Sequence, residues 1–189
     1  MKILLHICCA PCLIYPLERM RELGIEASGL FYNPSIHGAL EYGARRKCLE
    51  AYSWSRGLEV EYPEYAPQEF FAEVKHGGTP SRCAACWLLR MRFTARLARS
   101  RGMDAFSTTL LVSPYQDHEL LKAAAGQAAE EERVDFYYED FRPGFRGARR
   151  RAREGGLYLQ KYCGCVYSET ERYHAKIKTA APERSGMIS

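Results

Sequence analysis

Cysteines are the residues of this chain most able to do chemistry, and five of them form two groups. Three thiols lie near the start, at Cys8, Cys9 and Cys12, and two more follow at Cys83 and Cys86. Thiolates with two residues between them can bind one metal together, and four thiolates can hold structural zinc or a [4Fe–4S] cluster. The spacing therefore predicts a metal site and leaves open a zinc site of Cys9, Cys12, Cys83 and Cys86 or an iron–sulfur cluster.

A third group, Cys163-Gly164-Cys165, separates two thiols by one glycine. A disulfide prefers Cα atoms about 5.5–6 Å apart, so bridging these residues closes a tight ring. Strained disulfides are easily reduced and are often catalytic, and glycine gives the backbone the freedom that such a ring needs. This spacing favours a redox-active pair over two structural thiols or two further metal ligands. Cys48 lies on the apolar side of a predicted helix and is expected to be a small core residue.

Length, charge and composition narrow the class of protein. The chain has 189 residues, a net charge of +4 and eight cysteines. It has no apolar run long enough to span a membrane and no signal-peptide pattern, so we expect a cytoplasmic protein without a membrane partner. Thiols stay reduced in the cytoplasm, so eight cysteines indicate metal binding or thiol redox chemistry rather than a disulfide framework.

The elements that must position these thiols alternate between strands and helices. Strands are predicted over residues 2–7, 25–32, 58–62, 104–108 and 134–138, and helices over 13–24, 37–56, from Pro67, over 83–101 and from Ser113-Pro114. This alternation predicts an α/β fold, a three-layer Rossmann-like or HUP-like domain with a mainly parallel five-stranded sheet and a C-terminal helical and loop extension. We expect a single metalloenzyme domain over 1–174, whose residues 140–174 pack on the active site, and a flexible tail over 175–189.

The carboxyl ends of parallel strands are where such folds bind ligands. Cys8 follows the first predicted strand, and Thr108, Thr109 and Ser113 lie where the fourth strand meets the next helix, so these residues are candidates for ligand contact. His6 lies inside the first strand and is expected to be a hydrogen-bonded core histidine. The chain has no glycine-rich phosphate loop of either common type.

An arginine-rich stretch follows the last predicted strand. Residues 142–153 contain six arginines and no acid. By default this is a solvated face, but the nearby aromatics Phe141, Phe145 and Tyr158 make a nucleic-acid surface plausible, because arginine binds phosphate and aromatic rings stack on bases.

Seven stretches, taken in order, resemble the QueH family of cobalamin-independent epoxyqueuosine reductases. They are L-L-H-I-C-C-A-P-C at 4–12, Y-N-P at 32–34, E-Y-G-A-R at 41–45, R-C-A-A-C at 82–86, F-S-T-T-L-L-V-S-P-Y at 106–115, F-Y-Y-E-D-F-R-P-G-F at 136–145 and Y-L-Q-K-Y-C-G-C-V-Y-S at 158–168. The resemblance implies reduction of epoxyqueuosine in tRNA to queuosine, the last step in making that base.

The resemblance also implies cofactors. Cys8, Cys9, Cys83 and Cys86 would hold a [4Fe–4S] cluster, and Cys163 and Cys165 would form a redox-active disulfide. Family members can carry a mononuclear iron beside the cluster with a carboxylate ligand. No acid lies beside C-C-A-P-C here, so the nearby Cys12 is the expected extra ligand.

The implied reaction needs two electrons, two protons and a bound tRNA. Candidate proton donors are Tyr115, Asp117 and Asp140, and the electron donor would be ferredoxin-like or flavodoxin-like. The predicted substrate contacts are Tyr32, Asn33, Glu41, Tyr42, Arg45, Thr108, Thr109, Ser113, Arg142, Arg149, Arg150 and Arg151. The alternatives are a cluster-dependent tRNA sulfur transferase and a non-enzymatic, zinc-stabilised module that binds tRNA.

Overall fold

A computed structural model describes residues 1–74 and 81–179, and within that part the fold is an α/β sandwich. The strands are β1 (Lys2–His6), β2 (Glu26–Leu30), β3 (Val60–Glu61), β4 (Ala105–Thr108) and β5 (Asp135–Phe136). The helices are α1 (Ala10–Glu22), α2 (Ala39–Ser55), α3 (Pro67–Glu73), α4 (Ser81–Ser100), α5 (His118–Glu132), α6 (Phe145–Glu154) and α7 (Val166–Thr179).

The five strands form one all-parallel sheet in the order β3-β2-β1-β4-β5. β1 is central, with Ile3 opposite Ala27 on one side and opposite Ala105 on the other. Residues 3–6 of β1 are buried, as expected for a strand covered by helices on both faces. The chain reverses its direction of travel across the sheet between β1 and β4, and such a switch point is where parallel sheets bind ligands.

The helices form two groups around this sheet. α1 packs against α2 and α6, and α4 packs against α3 and α5. His6 fixes β1 to its neighbours, because its ring nitrogens lie 2.9 Å from Thr108 Oγ1 and 3.1 Å from the Tyr32 carbonyl oxygen. The expectation of a hydrogen-bonded core histidine is therefore confirmed, and burial lowers the pKa of His6 to about 3.

One expectation about helices is wrong, and another gains its bounds from the structure. Ser113-Pro114 does not begin a helix: Asp117 caps α5, and its carboxylate accepts the backbone N–H groups of Glu119 and Leu120. Asp is as good an N-cap as Ser, and it lies next to the first helical residue. The arginine-rich stretch lies in the predicted helical and loop extension, for which no helix bounds were given, and it forms the helix α6, whose buried residues are Ala148 and Ala152.

The C-terminal part of the described chain is also helical. α7 continues to Thr179, and residues 180–189 of the predicted tail lie outside the described residues. Within the described residues, no helix combines the length and apolar character needed to cross a membrane.

Candidate metal and nucleotide site

The site lies at the switch point between β1 and β4. Cys8 follows β1, and Thr109 follows β4 directly. The two residues are joined twice: the Cys8 backbone N–H donates to Thr109 Oγ1 at 3.2 Å, and the Thr109 hydroxyl donates to Cys8 Sγ at 3.5 Å. The parallel pairing of the two strands therefore delivers a sulfur and a hydroxyl to one point.

Cys8, Cys9 and Cys12 form a compact sulfur triad at this point. Their Sγ atoms all lie within 4.8 Å of one another, and those of Cys8 and Cys9 are 3.8 Å apart. Cys9 is the N-cap of α1 and Cys12 lies in its first turn, so the helix start places both thiols above the strand end. Cys8 and Cys9 are buried and Cys12 is partly exposed. Three converging sulfurs of this kind can hold a metal.

The three thiols do not titrate alike. Hydrogen bonds from Cys12 and Cys9, with a further one from Thr109, lower the pKa of Cys8 well below its ordinary value. Burial raises the pKa of Cys9, and the hydrogen bonds to Cys8 and Cys9 raise that of Cys12. The triad thus favours one thiolate shared among three sulfurs, and a bound metal cation would favour deprotonation of the other two.

The second thiol pair lies in the first turns of α4. Cys83 is partly exposed, and Cys86 is buried against Phe70, Val74 and Cys165. Neither belongs to the group of sulfurs within 4.8 Å. The described part of the chain therefore brings Cys8, Cys9 and Cys12 together as one donor group and keeps Cys83 and Cys86 outside it.

Arg90, one turn further along α4, links the two thiol groups. It is buried, and its Nε donates to the Cys86 carbonyl oxygen at 3.2 Å. Burial opposes the charge, but Cys86, Cys163 and Cys8 raise the pKa of Arg90 above its ordinary value. Its Nη2 has no hydrogen-bond partner among the described residues. A buried guanidinium needs counter-charge, and its neighbours here are sulfurs from all three cysteine groups.

The two thiols of the Cys163-Gly164-Cys165 segment differ in exposure. Cys163 is exposed to solvent through a cavity, while Cys165 is buried beside Cys86. Desolvation, opposed by the nearby Arg90, raises the pKa of the Cys163 thiol to about 12. Gly164 adopts φ +133°, a conformation that favours glycine.

The same segment is held by residues from the start of α2 and the loop before it. The buried Arg45 donates to the carbonyl oxygens of Cys163 at 2.9 Å and Tyr162 at 3.0 Å. His37 donates its backbone N–H to the Gly164 carbonyl oxygen at 2.9 Å, and its Nδ1 accepts the Val166 N–H at the same distance.

A cavity of about 670 Å³ opens over the triad. Its walls include Cys8, Cys12 and Cys163 from the thiol groups. Five cationic side chains line it, and no Asp or Glu of the described chain does; the cations are Arg45, Arg90, Arg149, Lys161 and Arg172. A cavity with this charge favours an anionic ligand.

Five of the residues predicted to contact substrate line this cavity: Asn33, Arg45, Thr109, Ser113 and Arg149. The other seven do not, namely Tyr32, Glu41, Tyr42, Thr108, Arg142, Arg150 and Arg151. Tyr32 is instead stacked on Phe93, with ring centroids 3.8 Å apart, and Thr108 is buried against His6. Substrate contact by these seven stays a prediction that the cavity does not support.

The three candidate proton donors occupy different environments. Tyr115 lines the cavity and is 83% exposed. Asp117 caps α5, and Asp140 forms a two-bond ion pair with Arg142 that lowers its pKa to about 2. A carboxyl group of such low pKa holds no proton near neutrality, so geometry and charge favour Tyr115.

Sequence reasoning missed several cavity residues. Arg90, Gln160, Lys161 and Arg172 line the site and were not singled out. Arg90 follows Cys86 by four residues, so its place on the same helix face was a readable signal. Gln160 and Lys161 lie in a loop, where no periodicity predicts direction.

Comparisons with known proteins agree with this geometry. A family profile described as "Epoxyqueuosine reductase QueH" matches residues 3–171. A protein of that name from Dehalococcoides mccartyi is 37% identical over 173 residues, covering 91% of this chain and 94% of the relative. Another from Thermotoga maritima is 36% identical over 186 residues, covering 93% of this chain and 95% of the relative.

A solved structure supports the fold. The U34-tRNA thiolase NcsA from Methanococcus maripaludis, with its [4Fe–4S] cluster, superposes with a TM-score of 0.58 at 14% identity, over 95% of this chain and 65% of that one. At this identity the likeness concerns the fold alone, and it agrees with the HUP-like, all-parallel sheet.

Proposed function

The chain belongs to the QueH family of epoxyqueuosine reductases, and we propose that it reduces epoxyqueuosine in tRNA to queuosine. Family membership makes it an oxidoreductase. The single observation that best supports this tRNA substrate is the juxtaposition of a sulfur triad with a cation-lined cavity at the sheet's switch point. A cavity of about 670 Å³ suits one modified nucleoside.

The mouth of the cavity suits a nucleotide in a single-stranded loop. Tyr115 meets Phe145 edge to face, with centroids 5.8 Å apart, and the Arg149 guanidinium lies 5.7 Å from the Phe145 ring centre. Exposed aromatic rings stack on splayed bases, and arginine binds the neighbouring phosphates. We therefore assign this group to the tRNA anticodon loop and the deeper thiols to the epoxide.

The triad and α4 thiols fit the donor chemistry of an iron–sulfur site. Cys8, Cys9, Cys83 and Cys86 would hold a [4Fe–4S] cluster, with Cys12 available to an adjacent ion. Arg90 supports this grouping, since it is an electrostatic neighbour of both Cys8 and Cys86. When bound, the cluster would supply single electrons and the ion Lewis acidity.

The thiols of Cys163 and Cys165 would supply the two electrons that the reduction of the epoxide needs. Converting an epoxide into an alkene breaks two C–O bonds, consumes two electrons and two protons, and releases water. Oxidation of a dithiol to a disulfide supplies two electrons. An external donor, ferredoxin-like or flavodoxin-like, would then reduce the disulfide. Cys163 would face the substrate, since it is the member of the pair that reaches the cavity.

The chain must also exclude water and deliver protons. Tyr115 is the candidate that lines the cavity, and its hydroxyl would donate to the leaving oxygen. Arg45 and Arg90 would stabilise the negative charge that develops as the C–O bond opens, because both lie buried in the wall.

The test is a deletion strain in which tRNA nucleosides are identified by mass spectrometry. Without the gene, epoxyqueuosine should replace queuosine, and the wild-type gene should restore queuosine. Cys163→Ser should fail to restore it, whereas Cys48→Ser, at a packing position, should succeed. Queuosine at normal levels in the deletion strain would contradict the proposal, provided that the strain has no second reductase.

A further inference from the structure

Gln160 touches the sulfur triad from a loop that precedes the redox pair. Its Nε2 lies 3.2 Å from Cys9 Sγ and 3.7 Å from Cys12 Sγ. Its Oε1 is buried and has no hydrogen-bond partner among the described residues. An orphaned buried carbonyl oxygen is costly, so the amide beside the triad lacks a partner that it needs.

The Cys8–Cys9 distance and the distances from Gln160 agree with a single tetrahedral metal ion, and the three Sγ atoms all lie within 4.8 Å of one another. Bonds of about 2.3 Å to sulfur place two ligand sulfurs about 3.8 Å apart, and the Sγ atoms of Cys8 and Cys9 are 3.8 Å apart. With a metal–oxygen bond of about 2.1 Å, an oxygen ligand lies about 3.6 Å from each sulfur. The terminal amide atom of Gln160 lies at 3.2 and 3.7 Å from two of them.

We propose that Gln160 is the fourth ligand of a single-ion site whose other ligands are Cys8, Cys9 and Cys12. A half-turn of the side-chain amide brings Oε1 to the position that Nε2 holds here, and its orphaned lone pairs then meet the cation. The ion is a divalent first-row metal, ferrous iron in a redox enzyme of this family. In protein that also carries the cluster, Cys8 and Cys9 would serve both metals. That placement rests on the proposed function, whereas the four-ligand site does not.

The charges around the site are compatible with this assignment. Three thiolates and a divalent cation leave one negative charge, and a neutral amide adds none. Two buried cations, Arg45 and Arg90, are electrostatic neighbours of Cys9 and Cys8. A neutral amide oxygen is also a weaker ligand than a carboxylate, so it leaves one position of the ion exchangeable.

The rival role for Gln160 is a hydrogen-bond donor to thiolate sulfur. The two roles make opposite predictions for Gln160→Glu. As a metal ligand, a carboxylate binds the ion at least as tightly as the amide does. If Gln160 is instead a hydrogen-bond donor, its replacement by glutamate removes the N–H and places an anion beside three thiolates, which weakens binding of the metal ion.

The experiment titrates Mössbauer-active ferrous iron into full-length, anaerobically purified protein whose cluster carries ordinary iron, in competition with a ferrous chelator. We expect Gln160→Leu to weaken binding of the added ion about tenfold and Gln160→Glu to match or exceed wild type. The Mössbauer spectrum of the added ion should change in both variants. Gln116→Leu, at a second glutamine of the same cavity wall, should change neither affinity nor spectrum.

The outcomes separate this inference from the proposed function. Wild-type affinity and spectrum in Gln160→Leu would overturn it, as would weaker binding in Gln160→Glu. Neither result bears on tRNA turnover, because the readout is binding of the metal alone. Conversely, a protein that binds the ion as predicted but leaves epoxyqueuosine unchanged would refute the proposed function and keep the Gln160 site.

Discussion

Arg45 Nη1 lies 2.9 Å from the backbone carbonyl oxygen of Cys163. The helix α2 therefore holds the backbone of a cysteine that comes 118 positions later in the chain. The same guanidinium pairs with Glu41 and is 1% exposed. From the sequence, Arg45 is predicted to be a substrate contact. The structure shows a buried cation that fixes residues 162–163 to α2.

Replacing Arg45 by lysine should destabilise the fold. Lysine keeps the charge but has no planar fork, so it leaves the carbonyl oxygens of Tyr162 and Cys163 without their paired donors. We expect a loss of about 1–3 kcal/mol in the free energy of unfolding, measured by urea denaturation. Arg46→Lys is the matched control, since Arg46 pairs with Glu50 at the surface and should change stability by less than about 0.5 kcal/mol. Equal losses of unfolding free energy in both variants would contradict a stabilising role for the Arg45 hydrogen bonds.

Gly164→Ala should damage both stability and turnover. At φ +133° a side chain is strained, and the new Cβ would lie 3.1 Å from Ile36 and 3.3 Å from the Arg45 guanidinium. Chemical denaturation should reveal a loss of more than about 1 kcal/mol. Gly43→Ala, within α2 and with no atom within 4 Å of the new Cβ, should instead stabilise by about 0.5–1 kcal/mol. Full activity of Gly164→Ala would argue against a fixed segment.

The arginines of α6 should not contribute equally to tRNA binding. Arg149 lines the cavity, whereas Arg151 donates to Glu18 on α1 at 2.6 Å. Arg149→Gln should therefore weaken tRNA binding and reduce the salt slope of log Kd by about one unit. Arg151→Gln should leave both nearly unchanged. Filter binding over a series of salt concentrations measures the two slopes, and identical behaviour of the two variants would refute the distinction.

Stability should fall in mild acid partly because of His37. Its Nδ1 accepts the Val166 N–H, and burial lowers its pKa below the ordinary value of 6.5. The unfolded chain therefore takes up a proton as pH falls below 6.5 while the folded chain resists, so stability present above that pH is lost below it. In urea unfolding from about pH 8 to about pH 5, His37→Asn should lose less stability than wild type. His6 is present in both wild type and His37→Asn, so its own contribution to the loss of stability in acid cancels when the two proteins are compared.

The sequence predicted the alternation of the sheet because its strands are short apolar runs between good turn signals. Buried strands such as β1 carry that signal strongly, and the parallel α/β fold is confirmed. The bounds of α6 were not predicted within the C-terminal extension, because its buried residues are only Ala148 and Ala152, and such small side chains are a weak apolar signal.

The site was predictable in kind but not in detail. Cysteine spacing and motif order indicated a metal and redox site of the QueH family, and the family is confirmed. Which thiols meet depends on strand order and helix starts, which spacing does not encode. The same holds for Gln160, whose contact with Cys9 joins chain segments far apart in sequence.

The most direct test of the central claim is anaerobic incubation of the purified protein with tRNA that carries epoxyqueuosine. The reaction would contain a strong chemical reductant and no ATP, and digested nucleosides would be identified by mass spectrometry. We expect conversion of epoxyqueuosine into queuosine, a nucleoside lighter by one oxygen atom. Persistence of the epoxide with protein that carries iron and sulfide, or a sulfur-containing nucleoside formed only when ATP is added, would contradict it.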